Sequence, residues 1–123
     1  MQRHAQIAAI TVLLLAFVAA GVAKLINPAL VYDQFARFGL PMWFVTVTGV
    51  VELIAAGLIA SFNDARRRLG GAMLATTMAV ATVLHVVHDP LATAIPALVL
   101  MLLAAYGAIV PLTKRADPRQ AVT

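Results

Sequence analysis

The sequence predicts an all-α protein, an antiparallel four-helix transmembrane bundle with a short amphipathic interfacial helix between spans one and two. Three observations predict it. Of the 123 residues, 63% are apolar and only 11% are charged, against about 25% charged in an ordinary soluble domain. The apolar residues gather in four long runs with short polar connections between them. The cationic residues stand at the edges of those runs, where orientation signals belong. The length suits one membrane domain, residues 1–123, and no second unit.

The first run, about residues 5–25, matches a hydrocarbon core of about 30 Å at 1.5 Å per residue. Arg3 ahead of it and Ala19-Ala20-Gly21 near its end also resemble a secretory signal with a cleavage site. The run continues through Val22 and Ala23 to Lys24, so it is expected to be a retained span. Asn27-Pro28 then opens a short helix, about residues 28–38, with Asn27 as cap, and Gly39-Leu-Pro41 stops it. Val31, Phe35 and Phe38 recur at helical spacing with Asp33, Gln34 and Arg37 interleaved, the pattern of a lid lying along the interface.

Span two covers about residues 42–61, with Trp43 at an interfacial position and Gly49, Ala56 and Ala60 close to the side that carries Glu52. Asn63-Asp64 caps span three, about residues 69–87, behind Arg66-Arg67-Arg68. Gly71, Ala75, Met78, Thr82 and His85 follow steps of four and three and share one face of it, with His88 continuing the stripe. Asp89-Pro90 reads as another cap-plus-proline start for span four, about residues 91–112, where Pro96 is expected to bend the first turns. Residues 113–123 form a polar tail containing Lys114, Arg115 and Arg119. Arg3, the triple arginine and the tail fall on one side, which predicts cytoplasmic termini and places the lid, His88 and Asp89 outside.

Glu52 is the residue that asks for an explanation. An ionisable side chain in the middle of a membrane helix costs roughly 2.5–3.5 kcal/mol, so it is expected to have a partner or a task. Lys24, in the last turn of span one, and His85, in the last turn of span three, lie in the same outer half as Glu52. Their faces can converge on a cavity under the lid, lined also by Thr48, Met78 and Thr82, with His88 and Tyr32 at its rim. Each residue has a plainer reading. Lys24 could snorkel to the headgroups, Glu52 could make a structural hydrogen bond, and His88 could be a solvated loop residue. Tyr32 could be an interfacial anchor, Asp89 serves as a cap, and Tyr106 belongs to the core. The triple arginine is read as an orientation signal with some affinity for anionic lipid.

Composition narrows the chemistry. Without cysteine, thiol relays, thiolate zinc and iron–sulfur clusters are excluded, and any redox role needs a bound cofactor or a partner. His4 lies at the opposite end from His85 and His88, which leaves no bis-histidine haem site between two helices. No metal site is expected. The formal charge of +4 follows from membrane topology and gives no reason to expect nucleic acid.

In order along the chain, Gly21-Val-Ala-Lys-Leu25, Phe38-Gly-Leu-Pro41, Gly49-Val-Val-Glu-Leu53 with Gly57, Gly70-Gly-Ala72 and His85 resemble the DoxX-like family of small four-helix bacterial membrane proteins. The resemblance implies a multi-pass protein of the bacterial cytoplasmic membrane. Some relatives look like membrane subunits of oxidoreductases, including a thiosulfate:quinone type, and others are assembly factors. Lys24, Glu52 and His85 stand at positions similar to the family's polar set, whereas the cysteine pairs of some redox-linked relatives are absent. The expected function is a subunit that binds a quinone or similar lipophilic molecule in the outer cavity and works with a membrane oxidoreductase partner or as a homo-oligomer. Glu52 and His85 would then handle protons. An assembly or interaction factor is the second reading, and a small membrane isomerase or hydrolase using Glu52 as acid or base is the third.

Overall fold

The computed structural model of the chain describes residues 2–61 and 63–109. Its elements are α1 (Gln2–Ile26), α2 (Ala29–Arg37), α3 (Met42–Ala60), α4 (Asp64–His88), a 3-10 turn (Leu91–Ala94) and α5 (Ile95–Ile109). The described residues contain no strand, and the fold is all-α. Three helical segments, His4–Ile26, Met42–Ala60 and Asp64–His88, are long and apolar enough to cross a membrane. At 19 residues, α3 is about 28 Å long, close to the thickness of a hydrocarbon core. The apolar stretch Leu91–Gly107 is shorter. The expected end of span four at Leu112 and the tail with Lys114, Arg115 and Arg119 lie outside the described residues.

Local chemistry sets most boundaries. The Asn63 side chain accepts from the Arg66 N–H at 3.1 Å and opens α4, as its cap position predicts. Gly39, at φ +77°, closes α2. Its N–H reaches the Ala36 carbonyl and the Leu40 N–H reaches that of Phe35, both at 2.9 Å, the paired bonds of a Schellman stop. Asn27 does not cap α2 with its side chain, contrary to expectation. Its N–H still donates to Ala23 in the last turn of α1, so the residue finishes one helix while its carbonyl receives Leu30 and starts the next. Pro96 falls in the first turn of α5, where its missing N–H costs nothing, and the change from 3-10 to α geometry occurs just before it.

Each long helix packs on two others: α1 on α3, α3 on α4, α4 on α5, and α5 back on α1. Leu13, Phe17, Ala55, Ala56, Ile59, Leu74, Met78 and Ala104 fill the centre. Gly70 sets the α3–α4 approach, since a Cβ at that position would lie 2.6 Å from the Ala55 carbonyl oxygen. The triple arginine is not uniformly solvated. Arg66 and Arg68 are exposed, but Arg67 is buried, donating to the Gly107 carbonyl near the end of α5 and to Asp64 at 3.0 Å. A buried guanidinium that donates to a carbonyl of one helix and a carboxylate of its own ties α4 to α5 as well as carrying charge.

The short helix α2 lies over one end of this assembly, packed on α3 and α1. None of its residues is fully buried.

Candidate functional site

At the end covered by α2, the last turn of α1 brings Lys24 against the middle of α3. Lys24 Nζ donates to both oxygens of Glu52, at 2.6 and 2.8 Å. The Glu52 side chain is 2% exposed and that of Lys24 13%, so this is an ion pair inside the protein and not a snorkelling anchor. Gly49, one turn before Glu52, permits it: a Cβ there would stand 3.0 Å from the Lys24 Cβ and 3.1 Å from the Gly21 carbonyl. Two of the three ammonium N–H groups go to Glu52, which leaves one donor for another acceptor.

The second polar group runs from α4 to α2. His85 Nδ1 lies 2.8 Å from an oxygen of Asp89, one helical turn on, and His85 Nε2 lies 3.1 Å from the Gln34 side-chain nitrogen. A carboxylate accepting from Nδ1–H fixes the imidazole with Nε2 as acceptor, and the Gln34 amide then donates to it. The other Asp89 oxygen holds Arg37 at 3.0 Å. Asp89 ends α4 as its C-cap, its N–H donating to the His85 carbonyl at 2.9 Å, and is not the side-chain cap of the following turn that the sequence predicts. Its side chain makes no capping bond to the following turn but joins the charged end of α2 to the histidine of α4. Phe38 adds an edge contact to His85, with ring centroids 5.2 Å apart.

Between these two groups lies a cavity of about 480 Å³ beneath α2, within the range of small-molecule sites. Lys24, Glu52, Thr48, Met78 and His85 line it, as does Gln34 from the lid. Phe35, Phe38, Phe44 and Leu84 supply apolar wall. The Thr48 and Thr77 hydroxyls donate to carbonyls of their own helices, Phe44 and Met73, at 2.8 Å, so their protons are already used. Three expected lining residues lie elsewhere. Thr82 turns away and bonds the Met78 carbonyl, because the face of α4 that meets the cavity runs through Thr77, Ala81 and Leu84. His88 is exposed, its Nδ1 against the Leu84 carbonyl and its ring against Phe38. Tyr32 is half-buried on a side of α2 that does not face the cavity.

Sequence reasoning left Gln34, Arg37 and Asp89 out of the site. The spacing of His85 and Asp89, four residues apart on one helix, was a readable signal for that pair. Gln34 and Arg37 depend on how α2 is rotated over the bundle, which its period leaves open.

A model of the DoxX-like family fits residues 8–106, most of the chain and all of the residues that line the cavity. No curated protein and no solved structure matches.

Proposed function

The chain belongs to the DoxX-like family, and from that premise we propose that it is a four-span antiparallel membrane subunit that holds a quinone or similar lipophilic molecule beneath α2. The observation that carries the proposal is the cavity itself, apolar for most of its wall, with its polar contacts gathered at Lys24–Glu52 and at Gln34–His85. Lys24 and Glu52 cancel each other's charge, so an uncharged headgroup suits the site better than an anion or a cation. The remaining Lys24 N–H and the Gln34 amide offer donors to carbonyl oxygens, as a quinone ring presents. His85, oriented by Asp89, takes a proton from a hydroxyl on the bound ring at Nε2 once the Gln34 amide turns from it to the ligand.

In this reading α5 belongs to the fourth span, and the chain works with an oxidoreductase partner in the bacterial cytoplasmic membrane. Both termini are then cytoplasmic, a reading supported by the cations of one side in the sequence, Arg3, Arg66, Arg68 and those of the tail. Arg37, the cation of the opposite end, is matched by Asp89 and weakens that bias little. Native mass spectrometry of the detergent-solubilised protein, with extraction of bound molecules, tests the proposal. A stoichiometric quinone-class molecule, reduced in Glu52→Gln and His85→Ala, is the expected result. A protein that carries no such molecule and binds none on addition, but co-purifies with a stoichiometric membrane protein, would move the function to assembly.

A further inference from the structure

Three side chains stand both in the wall of the cavity and on the outside of the helices. They are Val47 of α3, 44% exposed, Val80 of α4, 52% exposed, and Thr76 of α4, also exposed. Together they frame a mouth between α3 and α4. The same two helices meet tightly elsewhere, at Gly70 against Ala55, Leu58 and Ile59, so the pair is in contact at one end and parted beside the cavity. The cover formed by α2 is different in kind. It is fastened to the α4 end by Arg37–Asp89 and Gln34–His85, whereas the described residues that frame the α3–α4 mouth carry no charge.

Resting on the reading of the cavity as a lipophile site, we infer that the ligand enters sideways from the bilayer between α3 and α4. It is a single-chain amphiphile whose chain stays threaded between Val47 and Val80 while its polar ring lies at Lys24, Glu52 and His85. A cavity of about 480 Å³ accommodates a ring and the first carbons of a chain but not a chain of bilayer length. The remainder leaves where the wall is apolar and faces lipid. Neither valine contributes a hydrogen bond, so their part is steric: they fix which chains can pass and leave ring recognition to the groups inside.

The test uses the full-length protein in mild detergent and two probes, a tail-less benzoquinone and the same ring carrying a decyl chain, with affinities read by native mass spectrometry titration. Val80→Trp narrows the mouth from α4 and Val47→Trp from α3, and Leu102→Trp, at a 59% exposed position that does not line the cavity, is the control. The expected result is a loss of about tenfold or more for the decyl probe in both mouth variants, with the tail-less ring bound within about twofold of wild type. Leu102→Trp changes neither. Unchanged decyl affinity in both mouth variants overturns the lateral route, and so does an equal loss for both probes, which would place the valines in the ring site. A wild-type protein that binds neither probe overturns the cavity reading and the route with it. Should one tryptophan prevent folding, the variant on the facing helix decides.

Discussion

Lys24→Met removes the one charge paired with Glu52 among the described residues while keeping most of the length and the apolar stem of the side chain. Removing one partner of a buried ion pair costs about 3–5 kcal/mol, because the other charge is left uncompensated in a medium that cannot solvate it. Glu52 can escape part of that cost by taking a proton, which sets the expectation near the lower figure, about 3 kcal/mol. For a chain of this size each kcal/mol moves the midpoint by roughly 3–5 °C, so thermal unfolding in mild detergent should fall by about 10 °C. The double variant Lys24→Met/Glu52→Gln removes the stranded charge and should recover at least half of the loss, a coupling that a double-mutant cycle isolates. A single variant that melts within about 2 °C of wild type would refute the reasoning, and so would a double variant as unstable as the sum of its singles.

Three further outcomes follow from the packing. Gly70→Ala sets a methyl 2.6 Å from the Ala55 carbonyl and should cost about 1–3 kcal/mol by denaturant titration, while Gly57→Ala, with nothing within 4 Å, should stay within about 0.5 kcal/mol. Arg67→Ala, which removes a buried side chain with its bonds to Gly107 and Asp64 and opens space in the core, should destabilise by about 3 kcal/mol or more, in contrast to a near-neutral Arg66→Ala on the same helix. Arg37→Ala breaks a pair whose cation is 60% exposed and should change stability by less than about 1 kcal/mol, yet hydrogen exchange in Ala29–Arg37 should quicken. Asp89→Asn, which weakens the contacts to both Arg37 and His85, should quicken it further.

The membrane class and most helix boundaries were legible because they rest on local rules. Apolar run length fixed α1 and α3, Asn63 announced the start of α4, and Gly39 with Pro41 announced the end of α2 and the start of α3. The Lys24–Glu52 pairing was legible as an alternative, since a carboxylate at that depth needs a partner and few cations lie at its level. What remained hidden depends on rotation and choice among equals. Asp89 reads as a cap by sequence, and only the approach of Arg37 and His85 engages its side chain in ion pairs. Nothing in Arg66-Arg67-Arg68 says which arginine turns inward, because that is settled by which of them faces Gly107 of α5. Thr77 and Thr82 lie on different sides of α4, and the cavity takes the first because of how α4 is turned against its neighbours.

The most direct test of the cavity beneath α2 as the binding site is photolabelling with an azido-benzoquinone bearing a decyl chain, followed by peptide mapping. Labels concentrated on α2 around Gln34–Phe38 and on α4 between Thr76 and His85, competed away by unlabelled quinone, are the predicted result. Labels spread over outward-facing positions such as Leu15 and Leu102, indifferent to competitor, would contradict it.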